Sequence, residues 1–225
     1  MSVWQWLNEP SRWWGTEGIV RRVLEHLALA GGALGVALVA GLFIGWVGRR
    51  SRHLGGFTLL LGCAAGASLA WRVRDVRAWQ IALVLGLVAA SPIARATSLG
   101  FGAVDRSARA AAERAGMTGW QILARLELPC ARGRIAQGVR AAAVGLVGLV
   151  TAAPAIPTRD LIGGLGRFVV DGAESIRAEQ QAGVLLAVVL GALVWLAGWM
   201  LERAVTPKGL RRAERARRAT GIDHP

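Results

Sequence analysis

The residues able to do chemistry in this chain are few, and they do not converge. Three histidines, His26, His53 and His224, are far apart and give no metal-ligand spacing. The acidic residues Glu25, Asp75, Asp160, Asp171, Glu174 and Glu179 show none of the paired spacing that acid–base catalysis in a membrane enzyme requires. No G-x-x-x-x-G-K-S/T segment occurs, and Pro207-Lys208-Gly209 is a superficial lookalike, so nucleotide would have to be bound by another polypeptide. Cys63 lies in an apolar run and Cys130 in a polar stretch, which implies no disulfide framework. One cluster remains: Trp4, Trp6, Trp13 and Trp14. It reads either as an aromatic box for a cation or as an anchor at the membrane interface, and tryptophan density at the edge of an apolar chain favours the anchor.

The elements around these residues are apolar. Of 225 residues 54% are hydrophobic, and the mean hydropathy is +0.43. Five runs carry no charge: Leu27 to Val47, Leu54 to Trp71, Ala78 to Ala94, Ala141 to Ile156, and Ala182 to Leu201. Runs of this length cross a hydrocarbon core of about 30 Å, the shorter ones as tilted or broken helices. The expected fold is therefore an all-α integral membrane bundle of about five transmembrane helices. Small residues, as in Ala30-Gly31-Gly32-Ala33, Gly62 and Gly66, allow close helix approach. The absence of ionisable residues from the five runs argues against a proton-coupled carrier.

A net charge of +13 would suggest nucleic acid in a soluble chain. Here the basic residues concentrate at 49–52, 106–134 and 203–218, which places those segments in the cytoplasm and the N-terminus outside. The tail from Lys208 to Arg218 then reads as a juxtamembrane helix attracted to anionic lipid, with no nucleic-acid partner. The organisation is an interfacial Trp-rich segment (1–23), a transmembrane domain (24–204) and a basic cytoplasmic tail (205–225).

Residues 95–140 are polar enough to leave the membrane and regular enough to fold. Asp105 can cap a helix from Arg106 to Ala115, with Ala108, Ala111, Ala112 and Ala115 on one face and Arg106, Arg109, Glu113 and Arg114 on the other. Gly116 stops it, and Thr118 with Gln121 forms a capping box for a second helix that Pro129 is expected to end. From periodicity alone this helix–turn–helix, about 104–130, suits either a lipid surface or a protein partner.

Ala110-Ala111-Ala112, then Gly116, then Leu126-Glu127-Leu128-Pro129 resembles the cytoplasmic signature of ABC-importer permeases, with matching spacing. Ser91-Pro92-Ile93-Ala94-Arg95, Gly116-Met117-Thr118, Gly138-Val139-Arg140 and Gly163-Gly164-Leu165-Gly166 extend the similarity toward the osmoprotectant (glycine betaine, carnitine, choline) permeases. The resemblance implies a coupling element made by Ala110, Ala111, Ala112, Gly116, Met117, Thr118, Gln121, Leu126 and Pro129. Its alanines would pack on the chain's own helices, and the side near Thr118 to Ile122 would meet an ATPase. It further implies cytoplasmic ATPase subunits holding ATP and Mg2+, a second permease copy or homologue, an extracytoplasmic solute-binding protein, and a bacterial inner-membrane location. This chain would hold no cofactor and would not be an enzyme. Departures mark a diverged member: Ala110 replaces the signature's glutamate, the stretch from Gly62 to Ala78 is short, and residues 156–160 are inserted. A structural or regulatory subunit without its own substrate path, or a permease for another solute such as an amino acid, are the alternatives.

Overall fold

A computed structural model of the chain describes residues 2–15, 17–48, 77–155, 163–174 and 177–205. The Ser2 hydroxyl and the Gln5 side chain form a capping box that starts α1, Val3–Leu7, and a 3-10 turn, Pro10–Arg12, follows. The long helices are α2, Ile19–Val47, and α3, Ala78–Gly102. Next come α4, Arg106–Arg114, and α5, Gly119–Ile122, continued by a π turn, Leu123–Glu127, into α6, Leu128–Ala152. A 3-10 turn, Ala153–Ala155, precedes α7, Gly166–Glu174, and α8, Arg177–Val205.

Among the described residues four helical stretches are long and apolar enough to cross a membrane: Ile19–Val47, Ala78–Gly102, Gly119–Ala152 and Arg177–Val205. They account for four of the five expected spans. The remaining one, Leu54 to Trp71, lies outside the described residues. Each helix exceeds its charge-free run, because at 1.5 Å per residue a 25-residue helix is roughly 38 Å long and its ends emerge from the hydrocarbon. Of the expected fourth span, Ala141 to Ile156, residues 141–152 are part of a continuous helix that begins under the bundle at Gly119.

That continuity corrects the reading of Pro129 as a helix stop. Pro129 stands in the first turn of α6, directly after the π turn, where the Leu128 N–H reaches back to the Leu123 carbonyl. The wider turn accommodates the hydrogen bond that proline cannot donate. A second correction concerns charge. α2 starts at Ile19, so Arg21, Arg22, Glu25 and His26 ride on the spanning helix, and His26 is fully buried.

The core forms where small residues let backbones meet. A methyl group at Gly41 would lie 2.9 Å from the Ala90 carbonyl oxygen, at Gly45 2.7 Å from that of Ala94, and at Gly86 2.6 Å from that of Ala33. Residue numbers rise together along this contact, so α2 and α3 are parallel, and Gly48 and Arg77 lie at opposite ends of the bundle. α6 runs antiparallel to α3, with Gly100 against Ala131 and Gly138 against Ala96 and Pro92. Ala33, Ala37, Ala89, Ala90, Ile93, Ala142 and Leu146 fill the centre. α8 lies antiparallel to α6, with Gly198 facing the stem of Arg140.

Gly45→Ala places a methyl group 2.5 Å from the Thr97 Cβ and should cost about 1–3 kcal/mol as an overpacked core. Thermal unfolding in detergent should show a lower midpoint for this variant. Gly31→Ala, with nothing within 4 Å, should leave the midpoint unchanged or raise it.

Candidate functional site

At the end of the bundle where α3 finishes and α6 begins, the polar chain folds by local chemistry. Asp105 sits in extended backbone and caps α4: the Ser107 N–H donates to Asp105 Oδ1 at 3.0 Å and the Ser107 hydroxyl donates to Oδ2 at 2.9 Å. These two donors hold the exposed Asp105 carboxyl below its ordinary value of 3.8, the backbone donor contributing most. At the other end the Gly116 N–H reaches the Glu113 carbonyl at 3.0 Å and the Met117 N–H reaches the Ala112 carbonyl at 3.1 Å. This pair is a Schellman closure, and it requires the left-handed backbone that Gly116 adopts at φ +76°. Two residues on, the Gln121 N–H donates to Thr118 Oγ1 at 3.4 Å and the Thr118 N–H donates to Gln121 Oε1 at 2.9 Å, which starts α5.

α4 buries none of its residues. Ala110 and Ala111 are exposed, and Ala112 is half-buried. The expectation that the alanine face packs on the chain's own helices is thereby corrected: α4 stands away from the bundle. A side-chain link ties it back. Arg109 Nη1 donates to Glu127 Oε1 at 2.7 Å while its Nε faces Glu113 Oε1 at 3.3 Å. Glu127 is buried in the π turn, whereas Arg109 is half in solvent. Gly116 and Thr118 are exposed, Met117, Gln121, Leu126 and Pro129 half-buried. Ile122 points inward at 2% exposure, so the outward side of this turn belongs to Trp120, at 74%.

Two long-range contacts escaped sequence reasoning. Glu127 sits inside the matched motif, but only the fold brings it to Arg109, 18 residues earlier. At the same end of the bundle Arg140 Nη1 meets Glu202 Oε2 at 2.9 Å, and Gln137 Nε2 donates to Glu202 Oε1 at 2.9 Å, joining α6 to α8. Sixty-five residues separate Gln137 from Glu202, and no local pattern announces the pair. Among the described residues no group of three or more His, Cys, Asp or Glu side chains is arranged to hold a metal.

Because the lowered Asp105 pKa favours the ionised cap, its contribution to α4 is complete above the ordinary carboxylate value and disappears as pH falls through the lowered one. The Ser107 amide resonance in micelles should titrate with a midpoint below 3.8, and Asp105→Asn should abolish that titration. Arg109→Ala, which leaves the Glu127 carboxylate without this donor, should cost about 1 kcal/mol, at the low end because Arg109 is half-exposed. In thermal unfolding it should fall below Arg114→Ala, whose Nε donates to the Ala110 carbonyl on its own helix.

No family model matches the chain. Among curated proteins it is 33% identical over 132 residues to the carnitine transport permease OpuCB of Listeria monocytogenes, covering 58% of this chain and 59% of that protein. It is 32% identical over 120 residues to the glycine betaine/carnitine/choline transport system permease OpuCB of Bacillus subtilis, covering 53% of this chain and 54% of that one. The chain therefore spans between half and two thirds of the length of these two relatives. Similarity to the osmoprotectant import permease OsmW of Salmonella typhimurium is longer, 28% over 202 residues, covering 83% of this chain and 91% of that protein. Among solved structures, an inward-facing form of the MetNI methionine ABC transporter superposes with a TM-score of 0.70 at 21% identity, covering 84% of this chain and 96% of the matched one. The chain is an all-helical multi-pass membrane protein with an ABC-transporter permease fold, and in sequence it resembles the osmoprotectant permeases.

Proposed function

We propose that this chain is the permease subunit of a bacterial ATP-driven importer for osmoprotectant quaternary ammonium compounds. The observation that carries the reading is the element α4–Gly116–α5: a capped helix pair whose first helix buries no residue and whose second is continuous through the π turn with spanning helix α6, the two tied together by Arg109 and Glu127. A body that moves α4 and α5 moves α6, because a helix transmits displacement along its axis. The partner with energy to do this is a cytoplasmic ATPase that binds ATP and Mg2+, so this chain itself catalyses nothing.

In this arrangement the α4–α5 end, the α8 end and the basic tail face the cytoplasm, and α1 with the start of α2 faces outside. A second permease, the same or homologous, completes the path. A solute-binding protein delivers solute from outside, and lipid surrounds the apolar faces. The similarity to proteins named for carnitine, glycine betaine and choline supports the solute class.

The test is to tag the chain, solubilise native membranes in mild detergent and identify what co-purifies. An ATPase with a solute-binding protein is the expected recovery, and the chain alone would overturn the reading. Gly116→Leu forces a branched side chain into a left-handed backbone position that costs about 1–2 kcal/mol. It should leave the protein in the membrane while reducing ATPase recovery and glycine betaine uptake at least several-fold. Unchanged recovery and uptake would remove the coupling role from this turn.

A further inference from the structure

The joint between the α4–α5 pair and spanning helix α6 carries one residue more than an α-helix needs. Across Leu123–Glu127 the Leu128 N–H donates to the Leu123 carbonyl, where an α-helical turn would use the carbonyl of Ala124. Both registers satisfy that donor. They differ by about 100° of rotation between α5 and α6 and by a rise of about 1.5 Å, the contribution of a single residue.

Packing allows either register. In the observed one Ile122 is 2% exposed and Leu123 is half-buried. Winding the turn into α-helix moves Leu123 into the angular place that Ile122 now fills. One branched aliphatic replaces another of similar size, an exchange that cores tolerate well. The outward place passes from the exposed Trp120 to Gln121. Ala124 and Arg125, within the turn, are exposed and have no buried contact to lose.

Two features hold the wider turn. Pro129 has no N–H, and in an unbroken α-helix its ring would meet the Arg125 carbonyl, a conflict the π turn avoids. Arg109 of α4 donates to Oε1 of the buried Glu127 at 2.7 Å, and since the Gly116 closure joins α4 to α5, that bond spans the joint. Turning α5 by one residue carries Arg109 away from Glu127. Arg109 has somewhere to go: it is half in solvent, and its Nε already faces Glu113 of its own helix at 3.3 Å.

We propose that Leu123–Glu127 is a two-register joint latched by Arg109 and Glu127. With the latch closed, α4, α5 and α6 move as one body. With it open, the helix pair turns about the α6 axis and Trp120 leaves the outward face. The latch thus decides whether a push on α4–α5 reaches the membrane or is absorbed beneath it. The inference rests on the reading of α4–α5 as the element that an ATPase moves, and it adds the device that regulates that element.

The experiment uses the full-length chain in nanodiscs, with the subunits that co-purify. Spin labels are placed through Arg106→Cys in α4 and Leu201→Cys in α8, both exposed positions, after Cys63→Ser and Cys130→Ser. Electron–electron distance measurement should give one distance for this protein. Arg109→Ala should add a second, displaced by roughly 10 Å because α4 lies about one helix diameter from the α6 axis. Arg109→Lys, which keeps a donor for Glu127, should not. Deleting Ala124 removes the extra residue while preserving the observed orientation, so it should suppress the second distance in Arg109→Ala. Glycine betaine uptake per ATP hydrolysed should fall several-fold with Arg109→Ala and recover with the deletion.

A single unchanged distance in Arg109→Ala would overturn the joint, as would a second distance that the deletion leaves in place. Should the deletion variant fail to insert, the comparison of Arg109→Ala with Arg109→Lys decides. Absence of an ATPase from the preparation counts against the permease reading, and the distances alone then decide the joint.

Discussion

The structure depends on the approach of α2, α3 and α6 at distances only glycine and alanine permit. In lipid there is little hydrophobic gain from bringing helices together, so association rests on close packing of surfaces and backbones. Gly41, Gly45 and Gly86 lock α2 to α3, and Gly100 and Gly138 lock α3 to α6. Once three helices are fixed in this way, the two ends of the bundle are defined. The charged side chains of the described residues collect toward one end or the other, because the hydrocarbon between them offers no partner for a charge.

The two ends are built differently. At the α4–α5 end the backbone groups are satisfied by caps within a few residues, so the helix pair keeps its shape with little support from the bundle. It is joined there by the Arg109–Glu127 pair and by the unbroken run into α6. Such an element can be pushed as a unit. At the α1 end the opposite holds: α1 is five residues long and owes its position to Trp6, which is inserted among α2, α7 and α8. α8 meets the others through buried Ala178, Ala182 and Gly183 near its start, through half-buried Leu186, Ala187 and Leu190 against the Trp6 cluster, and through the Arg140–Glu202 pair toward its other end.

This division explains what could be read from the sequence. The caps at Asp105 and Thr118 and the stop at Gly116 are decided by residues two to four apart, and the spacing predicts them directly. The apolar runs announce spanning helices for the same reason, since length and composition suffice. Pro129 misleads because its cost depends on the turn before it, and a π turn removes the conflict. Trp6 misreads as an interfacial anchor, because it is placed by contacts with segments distant in sequence. The alanine face of α4 misreads because a small-residue stripe shows that close contact is possible, not that a surface is present to make it.

The polar cluster at the start of α2 shows how charge is tolerated on a spanning helix. Arg21 and Arg22 both reach Glu25, at 3.0 and 3.5 Å, and Arg22 also reaches Glu17. Glu25 Oε2 in turn accepts the Gly164 N–H at 3.2 Å, across 139 residues. Gly164 holds φ +97°, a conformation costly for other residues, and its missing side chain leaves room for His26, whose Nδ1 would be 3.2 Å from a methyl group there. The carboxylate is neutralised by its own helix and oriented by the segment before α7. Among the described residues the space toward the bundle centre is filled by Ala33, Ala37 and Ala142. The network works as a joint that fixes α7 against α2, and through α7 the seat of Trp6. Among the described residues, the ionisable groups that the longer helix brings into play are joined to one another at the mouth of the bundle.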